Sequence, residues 1–320
     1  MESPALTVDV PPQPWTGRFD GEGAEHRRWW QAVTPYAPPA GRAASLSGAR
    51  PAVILGFGSD EGVRRNKGRV GAAAAPAAIR AALGPLAYHL DRDVHDAGDV
   101  TVRDDSLEAG QERAGHAISR IIDAGQLPVV LGGGHETAFA SYLGVAGSAA
   151  VRDGLKVGVL NLDAHFDLRD EPVPSSGTPF LQMARAEAAA GRELSYAVVG
   201  ISEPNNTPTL FRTAEKLGVD YLLDEDCSAE AAQEFVAAFL ARVDALYLTI
   251  DLDVLPASVA PGVSAPAAYG VPLPVISAVC RQVAASGKLL HLDVAELNPE
   301  FDIDARTARV AARLVNTLLG

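Results

Sequence analysis

The hydrophobic pattern changes character near residue 51. Upstream, residues 1–50 mix Pro, Gly and Arg and hold all three tryptophans, Trp15, Trp29 and Trp30. Downstream, short β-branched runs alternate with longer Ala-rich amphipathic stretches. The short runs predict strands at AVILGF (52–57), LPVVLGG (127–133), KVGVLNLD (156–163), YAVVGI (196–201), VDYLL (219–223), ALYLTIDLD (245–253) and KLLHLDVAE (288–296). The stretches between them predict helices over 72–83, 106–124, 136–146, 179–190, 208–217, 229–241, 272–286 and 304–318. Strands alternating with helices form a parallel sheet covered on both faces. The runs are apolar throughout, as suits strands buried on both sides. An α/β domain over 51–320 with an N-terminal arm over 1–50 is therefore expected. The arm is read as loosely structured, laying its aromatics on a neighbour.

Composition narrows the function. With 320 residues and 48% hydrophobic content the chain can bury one large core. Its net charge of -13 argues against nucleic acid and anionic membrane surfaces, which both attract basic patches. No run reaches the ~20 apolar residues of a membrane span. The N-terminus lacks a basic stretch followed by an apolar one, so a soluble cytoplasmic protein acting on a small molecule is expected. Two cysteines, Cys227 and Cys280, are too few for a disulfide framework and read as reduced thiols.

The chemistry sits just after the strands, where ligands bind in open α/β sheets. GGGHET places His135 after one strand, DAHFD places Asp163, His165 and Asp167 after the next, DLD adds Asp251 and Asp253, and a last strand ends at Glu296. In an extended segment, positions i, i+2 and i+4 share a side, so each group converges if its segment stays extended. Carboxylates that close raise one another's pKa unless a cation compensates them. A DxD alone is usually a helix cap or turn, and a GGGH alone is often a tight turn over a core histidine. Their joint occurrence at successive strand ends points to a pair of divalent ions. Two imidazoles with four carboxylates and no thiolate suit Mn2+, with Fe2+, Co2+, Ni2+ and Zn2+ as competitors. Such a pair activates water, so hydrolysis is the expected chemistry. The remaining histidines, His26, His89, His95, His116 and His291, read as surface or satisfied core groups.

GGGHE, NLDAHFD, LTIDLDVLPASVAPGVSAP and DVAELNP together resemble the signatures of the ureohydrolases, the family of arginases and agmatinases, over roughly residues 50–318. The resemblance implies a three-layer α/β/α sandwich with a mostly parallel central sheet, the arginase-like fold, and two Mn2+ per subunit. It implies that His135 binds one ion and His165 the other. Asp163 and Asp251 would bridge them, Asp167 would complete the first shell and Asp253 the second. Glu296 would bond the amidine-like head of the substrate. Subunits in this family are often trimers or hexamers, so a homo-oligomer is implied.

Within the family, SSGTPF (175–180) departs from arginases and agmatinases, which carry a histidine where Ser176 stands. With GSDEGVRRNKGRVGA (58–72) and GISEPNNTPTLF (200–211), it resembles the branch that hydrolyses N-formimidoyl-L-glutamate to glutamate and formamide. The resemblance implies attack by a metal-bridging hydroxide, with Asp167 passing a proton to the leaving amine. That substrate carries two carboxylates, which an Arg can clamp with paired hydrogen bonds. Arg64 and Arg65 are the expected clamp, with Asn66, Asn205 and Asn206 adding hydrogen bonds beside Ser176. The alternatives are a urea-releasing ureohydrolase acting on agmatine, guanidinobutyrate or a related guanidino compound, and a non-catalytic metal-binding protein on the same fold.

Overall fold

A computed structural model describes residues 6–39 and 49–320. Of the arm expected over 1–50, residues 1–5 and 40–48 lie outside the described residues. The β-branched runs form strands that join into one sheet: β1 (Thr34–Pro35), β2 (Ala52–Gly58), β3 (Val94–Thr101), β4 (Leu127–Leu131), β5 (Val157–Leu162), β6 (Ser195–Ile201), β7 (Asp220–Leu223), β8 (Ala245–Asp251) and β9 (Leu289–Ala295). All pairings in it are parallel, in the order β1-β3-β2-β4-β9-β8-β5-β6-β7.

Alternate residues of each strand feed opposite layers. Ile54, Val129, Leu131, Leu248 and Leu292 pack in one core, with the helices Ala75–Leu83, Ala229–Leu240, Leu273–Ala285 and Arg306–Leu319. Val53, Leu55, Val130, Tyr196 and Tyr247 pack in the other, with the helices Leu107–Asp123, Thr137–Gly147 and Pro179–Ala189. This is the expected three-layer α/β/α sandwich. No helix among the described residues is long and apolar enough to cross a membrane. Cys227 and Cys280 are buried and unpaired.

The strand β3 and the arm depart from the sequence reading. The strand β3 escapes it because VHDAGDVT is no apolar run. Its acids are tolerated inside the fold because Arg80 bonds both oxygens of Asp96 at 2.9 Å and Asp99 Oδ1 at 2.6 Å. Buried charges persist where they are paired. The tryptophans of the arm, expected on a neighbour, pack on their own chain instead. Trp29 is fully buried, stacks on Trp15 and donates its Nε1–H to Asn316 Oδ1 at 2.9 Å. Trp15 Nε1–H donates to Asp96 Oδ2 at 2.7 Å, and β1 pairs with β3. The described part of the arm thus clasps the sheet edge and the last helix.

The chain order places the site. It leaves β4 and starts β5 three positions away in the sheet, and β9 and β8 later fill the gap. Such a switch point opens a crevice at the carboxyl ends of the strands. With neighbouring strands ~4.8 Å apart, the ends of β4, β9, β8 and β5 span only about 14 Å.

Candidate metal centre and its cleft

Each of those four strands hands over to a segment with its own local device. After β4 the chain runs through Gly132, Gly133 and Gly134. A Cβ on Gly133 would sit 1.7 Å from the Ser59 carbonyl oxygen, so only glycine fits there. Gly134 N–H then donates to Ser59 O at 3.0 Å and Glu296 N–H to Gly133 O at 2.8 Å. His135 follows, buried, its ring edge-on to Phe180 at 5.4 Å.

The segments after β5 and β8 do not stay extended, so the condition for convergence by strand alternation is not met. Strand β5 stops at Leu162, Asp163 Oδ1 accepts the His165 N–H at 2.7 Å, and Asp167 takes a left-handed φ of 49°. After β8, Asp251 Oδ1 accepts the Asp253 N–H at 2.8 Å across a short 3-10 turn, Leu252–Val254. A carboxylate that binds the amide two residues on closes an Asx turn. These turns, rather than the pleat, divide the ligands between two positions. Glu296 also has a positive φ, 69°. A non-glycine residue in that region costs about 1–3 kcal/mol and needs surroundings that hold it there.

The side chains meet in two groups. In the first, His135 Nδ1 lies 3.1 Å from Asp163 Oδ2, 2.9 Å from Asp167 Oδ2 and 3.3 Å from Asp251 Oδ2. In the second, His165 Nδ1 lies 3.0 Å from Asp253 Oδ2 and 3.5 Å from Asp163 Oδ1. Asp163 belongs to both groups, and Asp251 is placed with the first. Asn161, whose Nδ2–H donates to Asp163 Oδ2 at 2.9 Å, holds the shared carboxylate from behind.

This arrangement fits a pair of divalent cations. One imidazole nitrogen faces three acid oxygens, and the four ligand carboxylates balance the charge of two such ions. Without the ions, the electrostatics show strain. Burial, with the charges of Asp253 and Asp163, pushes Asp251 well above the carboxylate range. Burial and the charge of Asp163 raise Asp167. His135 and His165 are raised well above the usual imidazole value, because the surrounding aspartates outweigh the cost of burying a cation. Asp163 is lowered, since its two histidine neighbours outweigh its burial. Glu296 is pushed up to about 8, first by burial and then by the charge of Glu136.

The centre opens into a cleft of about 120 Å³, lined by His135, His165, Asp167, Asp251, Asp253 and Glu296 on its floor. Asn66, Arg169, Ser176 and Asn205 lie on its walls. Asn66 Nδ2–H donates to Ser176 Oγ at 3.1 Å. Asn206 also borders the cleft, but its side chain serves the backbone. It donates to Ala164 O and Ser202 O, each at 2.9 Å, and accepts from Phe166 N–H at 3.1 Å, which fixes the turn carrying His165.

Arg64 and Arg65, the expected carboxylate clamp, do not line the cleft. Arg64 forks onto Glu61 with two bonds of 2.6 Å and is largely exposed. Arg65 is held by Glu61, Glu108 and the carbonyls of Pro174 and Asp105. Local acids have already claimed both guanidinium groups. Arg169 is the cation on the cleft wall among the described residues, and the sequence reading passed over it. Its closeness in sequence to Asp167, two residues away, was the available signal, although the chain there is no longer a strand.

Comparison with known proteins places the chain in a family. The chain is 58% identical over 307 residues to a formimidoylglutamase of Nocardia farcinica, covering 95% of each chain. It is 56% identical over 315 residues to a formimidoylglutamase of Rhodococcus opacus, covering 97% of this chain and 96% of that one. Among solved structures, Trypanosoma cruzi formiminoglutamase with Mn2+2 superposes with a TM-score of 0.76 at 25% identity, covering 84% of this chain and 92% of that one. The sequence profile of the arginase family matches residues 50–320, which hold both ligand groups and the whole cleft, and the chain belongs to that family.

Proposed function

We propose that this protein is a dinuclear-manganese hydrolase that converts N-formimidoyl-L-glutamate and water to L-glutamate and formamide. The observation that carries the reading is the cleft itself. An acid-lined metal floor with Glu296 at its edge faces a wall bearing Arg169, Asn66 and Ser176. One end suits a cationic formimino head and the other a carboxylated tail. The relatives named formimidoylglutamase, 58% and 56% identical over nearly the whole chain, support the same substrate.

When bound at His135, Asp163, His165, Asp167, Asp251 and Asp253, two divalent ions supply Lewis acidity and make water a nucleophile near neutral pH. The chain's own groups do the rest. Glu296 accepts the His135 N–H on Oε1 at 2.7 Å, which fixes its carboxylate at the edge of the floor to receive the formimino N–H groups. Arg169 pairs with a substrate carboxylate, and Ser176 Oγ, already accepting from Asn66, has its proton free to donate to the other. Water adds its oxygen to the formimidoyl carbon, and the bond from that carbon to the glutamate nitrogen breaks. The Asp167 carboxylate takes a proton from the attacking water and delivers it to that departing nitrogen.

The test offers N-formimidoyl-L-glutamate, agmatine, arginine and 4-guanidinobutyrate side by side to Mn2+-reconstituted protein, scoring glutamate, formamide and urea. Glutamate with formamide from the first, and no urea from the others, is the expected result. Urea from any guanidino substrate overturns the assignment of substrate.

A further inference from the structure

Behind the metal centre runs a buried line of hydrogen bonds that none of the roles above uses. His135 Nε2 lies 3.0 Å from Thr249 Oγ1. The Thr249 hydroxyl donates to Asp293 Oδ1 at 2.5 Å. The Tyr247 hydroxyl donates to the other oxygen, Asp293 Oδ2, at 2.6 Å, with a longer contact to Ala138 O at 3.2 Å. Thr249, Asp293 and Tyr247 are fully buried. Thr249 and Asp293 are paired across β8 and β9, two residues before Asp251 and three before Glu296.

The direction of each bond follows from what each group is able to do. Both oxygens of Asp293 accept a hydroxyl proton, Oδ1 from Thr249 and Oδ2 from Tyr247. Asp293 therefore draws the single hydroxyl proton of Thr249 toward itself. With that proton committed, Thr249 Oγ1 faces His135 as an acceptor. His135 must then carry hydrogen on Nε2, so that in a neutral imidazole Nδ1, the nitrogen facing Asp163, Asp167 and Asp251, is the one left to bind a cation. Without the acid, Thr249 is free to turn its proton onto Nε2, and the hydrogen of a neutral imidazole moves to Nδ1, where it blocks a cation.

We propose that Asp293 is a positioning residue that acts through Thr249 to hold His135 in the Nε2–H tautomer, and so selectively secures the ion on the His135 side of the pair. The inference rests on the two-ion reading of the centre. It assigns Asp293 no contact with substrate. Tyr247 has the supporting part of anchoring the acid from below.

The experiment is a double-mutant cycle read as metal binding by the full chain, with Mn2+ titrated into the metal-free protein and bound metal counted. Wild type is expected to bind two ions. Asp293→Ala and Thr249→Val are each expected to weaken one of the two sites by about 10–100-fold, the usual cost of losing the partner behind a metal-binding histidine, and to leave the other unchanged. Combining them is expected to cost no more than Thr249→Val alone, because the acid acts through the hydroxyl. Asp293→Asn retains an acceptor for Thr249 on Oδ1 and is expected to restore most of the affinity, which also covers the event that the alanine variant does not fold. Fully additive losses, equal weakening of both sites, or wild-type affinity in Asp293→Ala would overturn the inference. Failure of wild type to bind two ions would instead overturn the reading of the centre on which it rests.

Discussion

The placement of Asp163 in both ligand groups, with Asp253 in the second alone, makes a graded prediction for metal-linked stability. A ligand held at a hundred times its Kd stabilises the folded state by about 2.7 kcal/mol per site. For 320 residues at ~2.1 cal/mol/K each, the unfolding entropy is about 0.7 kcal/mol/K, so one filled site raises Tm by about 4 °C and two by about 8 °C. Asp253→Ala removes one ligand from the His165 group and should leave a metal-dependent rise of about 4 °C. Asp163→Ala removes a ligand from both groups and should leave almost none. The assay is differential scanning calorimetry of each variant with excess Mn2+ and with a chelator, alongside a count of bound metal. The quantity compared is the metal-dependent shift, because removing an acid also changes the metal-free baseline. An Asp163→Ala protein that holds two ions with the full shift would refute the shared-ligand reasoning. So would an Asp253→Ala protein as metal-insensitive as Asp163→Ala.

Glu296→Gln should retain both ions but lose about 30- to 5,000-fold in kcat/KM, the 2–5 kcal/mol of a broken buried charge pair, as steady-state kinetics with metal analysis will show. Arg169→Ala should raise KM for N-formimidoyl-L-glutamate by about 10–100-fold with little change in kcat, given ~1.5–3 kcal/mol for a hydrogen bond to a charged group, while Arg64→Ala changes KM by less than about two-fold. In the metal-free protein, Asp251, Asp167 and Glu296 hold protons that the unfolded chain has released above pH ~4, and His135 and His165 stay charged above their unfolded value. The unfolded state thus binds fewer protons across pH 4–8, so chelated protein loses stability as pH rises through that window. Ions displace those protons, so the gap between Mn2+-loaded and chelated melting temperatures widens from pH 5 to pH 8. Trp29→Ala should cost about 3–5 kcal/mol in denaturant unfolding, since it empties a fully buried site and leaves Asn316 unpartnered.

The sequence by itself determined the layered fold and which histidines and aspartates gather in the two groups able to hold a metal ion. Strands such as AVILGF and ALYLTID read directly because most of their residues are apolar or β-branched and buried. The acids and imidazoles read because they recur together at the ends of four strands, where ligands bind in open α/β sheets. Only the tertiary structure decided what depends on partners distant in sequence. The strand Val94–Thr101 holds acids that Arg80 neutralises from another element, with Trp15 donating a further hydrogen bond to Asp96. Trp29 finds Asn316 287 positions away. Arg64 and Arg65 looked like a carboxylate clamp because a sequence shows charge but not which neighbour has claimed it, and Glu61 and Glu108 had. Arg169 borders the cleft where its backbone N–H bonds Gly177 O, a partner beyond the left-handed turn at Asp167. Spacing along a chain states which groups are near in sequence, while the direction each takes is set by hydrogen bonds that close only when the strands stand side by side.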